Sequence, residues 1–313
     1  MRVFQMSYER QMLVKYQMPS RDQVEQALLI SLFKNNGVVR DFSSGKQVVE
    51  EVADELNLDE RQRTAYLKTI YKKEGRVKRA FLWHRLLYRA ADSLARQGLV
   101  SRPSQTCRLT NRQEWMLMEK GYDKALDLAK IPLTQKDSLP IKSYEVQKIV
   151  KRISEEERPQ DYSPFQIQKK SNRITKQMLL RKRGFRQAVI EAYDYKCAVC
   201  GMKLFAPKTC QWEVEAAHIV PHCLMGRDDI FNGLALCRLH HWAFDVGWFT
   251  INDNYDIVGS GGIEELPSEF GTINNYEFIR HLKKNVKIFL PSSERIFPHI
   301  TALRWHRTNV FTG

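Results

Sequence analysis

Two short gaps constrain this chain more than any other feature. Two residues separate Cys197 from Cys200, and two separate Cys237 from His240. A gap of that size lets neighbouring side chains close on one Zn²⁺ ion. A Cys₃His set leaves no position open for water, so these four residues are expected to hold a structural zinc. His218, Asn232 and His241 lie between and just after the pairs and read as a second, catalytic set. His240 and His241 are adjacent, but only His240 keeps the two-residue gap from Cys237. His240 therefore goes to zinc and His241 to the second set.

The rest of the chain has to accommodate this module. At 313 residues it exceeds the usual single-domain size, so two domains are expected. Apolar residues make up 43%, enough for two ordinary cores. Lys and Arg number 50 against 36 Asp and Glu, and the resulting charge of +14 favours a polyanionic partner through attraction to phosphates and release of their counterions. The N-terminal run MRVFQMSYERQMLVKYQMP has scattered charge and no signal-like apolar core. No segment approaches the ~20 apolar residues of a membrane helix. A cytoplasmic protein without a membrane partner is expected. There, cysteines at metal-type spacing argue for zinc rather than disulfides. Cys107, Cys210 and Cys223 fit neither pair and are expected as small buried thiols.

Before the metal-type stretch, residues 19–121 read as helices followed by a hairpin. Ser20 opens a helix that Asn36-Gly37 ends, a second spans about Gly45 to Asn57, and a third candidate runs from Glu60 to Lys73. In AFLWHRLLYRAADSLARQG, Trp83, Leu86, Leu87, Ala90, Ala91 and Leu94 share one helical face, and Arg85, Arg89, Asp92 and Arg96 share another. Two short strands are expected around Pro103-Ser104-Gln105, at Leu99–Arg102 and Thr106–Leu109, and then a helix from Thr110 to Gly121. This order, with WHRLLYRAADSLARQGLV and CRLTNRQ, resembles the N-terminal winged-helix domain of Mrr-type restriction proteins. The resemblance implies a helix in the major groove of DNA, with Arg85, Arg89 and Arg96 facing it and Arg102 and Arg108 on the wing near phosphates. Phe81, Trp83, Tyr88 and Trp115 are expected mainly in the core, with cradling of a modified base as the alternative.

Residues 142–186 carry 13 Lys and Arg against 5 Asp and Glu, and four prolines punctuate the stretch from Pro132 to Pro164. A basic linker over 126–180 is expected, between a DNA-reading domain at 1–125 and a nuclease domain at 181–313. KKSNRITKQMLLRKRGFR either tracks a DNA backbone or solubilises the linker.

Trp212–His218 reads as a strand, Gly233–Cys237 as a second, and Arg238–Val246 as a short helix ended by Gly247. With EAAHIVP, DDIFNGLALC and HHWAFDVG, this order resembles the ββα-metal fold of HNH endonucleases, in the branch found in bacterial restriction enzymes. The resemblance implies an α+β chain with His218 as general base, Asn232 holding that imidazole's surroundings or the loop through its amide, and His241 binding catalytic Mg²⁺ or Mn²⁺. Where many such enzymes have a metal-binding Asp or His just before the base, this chain has Ala217. Asp245, one helical turn after His241, is the first choice for the missing carboxylate. Glu215 is the second, because strand alternation turns it from the His218 side. His306 is expected to be structural.

The expected function is that of a divalent-metal-dependent restriction or phage-defence endonuclease acting on double-stranded DNA, with a base-modified duplex as one open substrate. One HNH site cuts one strand, so double-strand cleavage implies a homodimer. The alternatives are a nicking or mobile-element endonuclease and a non-catalytic, zinc-stabilised winged-helix regulator.

Overall fold

The computed structural model describes residues 7–42, 46–71, 76–166, 176–206, 211–260, 286–311 and 313. Its contacts divide the chain into two units, Met1–Gln147 and Lys148–Gly313. Helix and strand are mixed in both, in small antiparallel sheets. Cys210 and residues 167–175 of the basic tract lie outside the described residues.

In the first unit, helix α1 (Tyr8–Lys15) precedes α2 (Arg21–Lys34), which starts on a capping box. Ser20 Oγ accepts from Gln23 N at 3.3 Å, and Gln23 Oε1 accepts from Ser20 N at 2.8 Å. Strand β1 (Val38–Arg40) and helix α3 (Lys46–Glu55) follow as the apolar spacing requires. The third helix expected at Glu60–Lys73 stops after one turn: α4 (Glu60–Thr64) gives way to β2 (Tyr66–Tyr71), paired antiparallel with β3 (Arg76–Phe81). The cause is visible at its start, where Tyr66 is exposed, Leu67 buried and Lys68 exposed, a period of two rather than 3.6.

Helix α5 (Leu82–Arg96) buries the apolar face expected of it, including Trp83, Leu87, Ala90 and Leu94, against α2 and α3. The wing departs from expectation. After β4 (Val100–Ser101), the residues expected as a second wing strand form α6 (Pro103–Thr110), which Pro103 starts at its first position. The residues expected as a helix to Gly121 instead hold β5 (Glu114–Leu117), and α7 (Glu119–Leu128) follows. Trp115, Met116 and Leu117 are all buried, a demand that a strand covered on both faces meets and a surface helix does not. The sheet order is β1-β5-β4, all antiparallel.

The residues expected as a linker are divided between the units, because the boundary falls inside α8 (Tyr144–Glu155). In the second unit, α9 (Lys176–Ala192) is followed by the short pair β6 (Phe205–Ala206) and β7 (Gln211–Trp212). The central hairpin pairs β8 (Val214–His218) with β9 (Gly233–Cys237), His218 opposite Gly233 and Val214 opposite Cys237. Helix α10 (Arg238–Asp245), hairpin β10 (Phe249–Ile251) and β11 (Ile257–Gly259), and helix α11 (Ile300–Asn309) complete it. His306 of α11 is buried as a structural residue, stacked on Phe244 at 3.6 Å between ring centres and bonded to Thr250 Oγ1 and the Phe244 carbonyl, each at 3.0 Å. Burial pushes its imidazole down to about 4.

Candidate active site and metal centre

The metal-type residues come together as the gaps require. The ligand atoms of Cys197, Cys200, Cys237 and His240 all lie within 4.8 Å of one another. Cys197, Cys237 and His240 are buried. Tetrahedral zinc with thiolates at 2.3 Å separates its ligands by about 3.8 Å, so the cluster has the right size and the right donors. His240 Nδ1 faces Cys237 Sγ at 3.0 Å and Cys197 Sγ at 3.7 Å. Hydrogen bonds from Cys200 and Cys237 hold the Cys197 thiol far below the usual range, and the same Cys197 pushes Cys200 up to about 11. Crowded thiols that share protons in this way are preorganised to release them to a cation. The knuckle backbone fits the cluster: Gly201, at φ +71°, donates to the Cys197 carbonyl, and Ala198 N donates to the Ala235 carbonyl of β9.

His218 ends β8, at the far end of the hairpin from Cys237. Its ring stacks on Phe185 of α9 with centres 4.1 Å apart. Gly233, opposite it in register, makes the approach possible: a Cβ there would lie 2.4 Å from Val189 Cγ2 and 3.2 Å from Phe185 Cε2. Asn232 is fully buried and closes the intervening loop. Its amide donates to the carbonyls of Val220 at 3.1 Å and Arg227 at 3.0 Å, and its oxygen accepts from Val220 N at 2.8 Å.

His241 faces two carboxylates. Glu215 Oε2 lies 3.1 Å from Nδ1 and Asp245 Oδ2 lies 3.5 Å from Nε2. Glu215, ranked second in the sequence, is thus the nearer contact. The hydrogen bond between them raises the His241 pKa and lowers that of Glu215. Burial raises Asp245, and the neighbouring His241 and His218 oppose that rise. Because the carboxylates sit on opposite ring nitrogens, the three do not converge as tightly as the Cys/His cluster. Ala217 is buried and offers no ligand.

One contact escaped sequence reasoning. His218 Nε2 lies 3.0 Å from Asp228 Oδ1. The only signal was an acidic pair, Asp228-Asp229, just ahead of Ile230-Phe231-Asn232. Cys223 is exposed and Cys107 half-buried, so the expectation of buried thiols fails for both.

In the first unit the arginines expected on DNA are already paired. Arg85 lies 3.1 Å from Glu9 of α1, and Arg89 pairs with the same carboxylate. Asp92 holds Arg96 at 3.0 Å and Arg102 at 2.7 Å. Arg102 precedes α6 and Arg108 lies within it, so neither sits on a two-stranded wing. Trp83 and Trp115 are core residues as expected, whereas Phe81 and Tyr88 are exposed.

No helix among the described residues is long and apolar enough to cross a membrane. No curated protein matches the chain. Among solved structures it is similar to a chain titled modification dependent TagI restriction endonuclease, with 21% identity and a TM-score of 0.29 over 41% of this chain. The match spans 38% of that protein's length. The HNH endonuclease family model matches residues 197–252, which run from the first knuckle through both site strands, α10 and β10. The chain therefore carries an HNH endonuclease domain over residues 197–252.

Proposed function

We propose that the chain is a restriction-type DNA endonuclease in which His218 is the general base. The observation that carries this reading is the grouping, around one hairpin and its following helix, of a partly exposed imidazole, a second imidazole between two carboxylates, and a closed Cys₃His cluster. His218 takes a proton from water at a ring nitrogen, as an imidazole is chemically able to do. Asn232 holds the loop that faces it. Cys197, Cys200, Cys237 and His240 would hold zinc, fixing the start of α10 against β9 and thereby His241 beside His240.

A second, catalytic cation is part of the same proposal. Glu215 on Nδ1 orients the His241 ring, as carboxylates commonly do behind a metal-binding imidazole. Nε2 and Asp245, 3.5 Å apart, would then hold the ion. A divalent ion such as Mg²⁺ or Mn²⁺ held there would supply charge to offset that on the phosphoryl and leaving oxygens. The products are 5′-phosphate and 3′-hydroxyl ends.

In the first unit, α2, β1, α3, α5, β4 and β5, with α4 and the β2–β3 hairpin inserted before α5 and a three-stranded sheet β1-β5-β4, support a winged-helix reader in which α6 replaces the loop of the wing. We assign it to double-stranded DNA, on the strength of the whole chain's net charge of +14, with the arginines of α5 available once Glu9 and Asp92 give way to phosphates. A phage-defence role, a modified base and a homodimer cutting both strands belong to the same proposal. Digestion of matched modified and unmodified plasmids, with Mg²⁺, Mn²⁺ or EDTA, tests it. Metal-dependent linearisation is expected. DNA binding that survives EDTA without any cleavage would favour the regulator, and nicked circles alone would favour the nicking enzyme.

A further inference from the structure

The catalytic loop is held from an unexpected quarter. Residues 162–166, which the sequence places in the linker, run alongside loop residues 225–229 as an extra edge. Gln166 N donates to the Met225 carbonyl at 2.7 Å, and Arg227 N donates to the Pro164 carbonyl at 2.9 Å. Phe165 and Gly226 form an antiparallel bridge, and Gln166 Nε2 donates to the Gly226 carbonyl at 2.9 Å. Gly226 has to be glycine in this arrangement, because a Cβ would lie 1.8 Å from the Val220 carbonyl oxygen.

The two acidic residues of this loop do different work. Asp229 is consumed by structure: its Oδ1 accepts from Tyr162 Oη at 2.8 Å and from Phe231 N and Asn232 N, each at 3.1 Å, and its Oδ2 pairs with Arg227 at 2.8 Å. Asp228 is held by neighbours on both sides. The Arg227 carbonyl accepts from Asn232, and Asp229 is anchored to Tyr162. What remains for the Asp228 carboxylate is His218, at 3.0 Å from Nε2.

We propose that Asp228 is the positioning residue for the general base, and that the Tyr162–Gln166 edge fixes Asp228 in place. An ionised carboxylate accepts from Nε2–H. It therefore keeps the proton on that nitrogen and leaves Nδ1 unprotonated, able to take a proton from water. Once Nδ1 has accepted that proton, the same carboxylate stabilises the imidazolium. Phe185 stacked on one ring face and Asp228 on the ring edge together leave His218 one orientation. The assignment rests on the nuclease reading above for its role, and on the observed contact for its existence.

Histidine-selective ¹⁵N spectra of the full-length protein, with Asp228→Asn, Asp228→Glu and Tyr162→Phe variants, test it alongside plasmid cleavage. The wild type is expected to hold His218 in the Nε2–H form. Asp228→Asn is expected to lose that bias and to lower kcat roughly 10- to 100-fold with little change in KM for DNA. Asp228→Glu, which restores a carboxylate, is expected to recover part of both signals. Tyr162→Phe is expected to lower kcat less than Asp228→Asn does. Wild-type cleavage by Asp228→Asn, or a His218 tautomer indifferent to the substitution, overturns the proposal. A wild type that holds the tautomer but cuts no DNA contradicts the nuclease reading and leaves the contact itself established.

Discussion

The two units differ in how their charged and metal-type residues are satisfied. In the second unit, imidazoles and carboxylates meet within the HNH segment and remain partly exposed: His241 between two carboxylates, His218 on Asp228. In the first unit, the basic face of α5 is already answered by its own chain, Glu9 on Arg85 and Arg89, and Asp92 on Arg96 and Arg102. A shared ligand geometry leaves its mark on sequence spacing, because two ligands of one ion must lie within a few ångströms. A basic stripe leaves no record of its partner. Glu9 lies 80 residues from Arg89, and no periodicity connects them.

The comparison can be broken most severely at the metal centre. Cys197→Ser is expected to lose zinc and melt the nuclease unit while the transition of the first unit remains. Structural zinc supplies on the order of 10 kcal/mol in small zinc domains, so the effect should exceed any other single change. Metal analysis and thermal unfolding check this, and a stable zinc-free variant would remove the structural role.

Acid should act on the same unit. His306 is folded with a pKa lowered to about 4, against 6.5 for the free side chain. Its burial in the neutral form therefore stabilises fully above about pH 6.5, and the contribution declines as pH falls toward 4, levelling off below that. About 2 kcal/mol should be lost between pH 7.5 and pH 5. Urea unfolding of the nuclease unit at the two pH values reads this, and equal midpoints would exclude it.

If Glu215 orients the His241 ring and Asp245 meets the ion, as proposed, Asp245→Asn should weaken Mn²⁺ binding roughly 10- to 100-fold and Glu215→Gln should weaken it less. Titration calorimetry with Mn²⁺ ranks the two. The reverse order would make Glu215 the ligand.

The smallest effect belongs to the first unit. Glu9→Gln should release Arg85 and Arg89, raise affinity for duplex DNA a few-fold at low salt, and steepen its salt dependence. Unchanged binding would place the DNA contact elsewhere on that unit.

Legibility in the sequence followed the same division. The β8–β9 hairpin, α10 and the Cys₃His cluster stand where the gaps put them. So does the apolar face of α5, because burial repeats with the helix. The wing was misread because Pro103 with Gln105 suits a helix start, while the strand β5 is decided by burial on both faces, which neighbours impose. Strand parity set Glu215 aside, but parity fixes only where a side chain leaves the backbone. A glutamate is long enough to reach the His241 ring that α10 brings over β8. Asp228 was missed because its partner is set by the fold of a loop, and loops carry no period.

The central claim is that His218 removes the proton from the attacking water. Plasmid cleavage by His218→Ala, measured with zinc content and DNA affinity on the same preparation, tests it most directly. The account predicts a loss of at least about 100-fold in cleavage rate with zinc and DNA binding retained. Cleavage at the wild-type rate by a folded, zinc-loaded His218→Ala protein would contradict it.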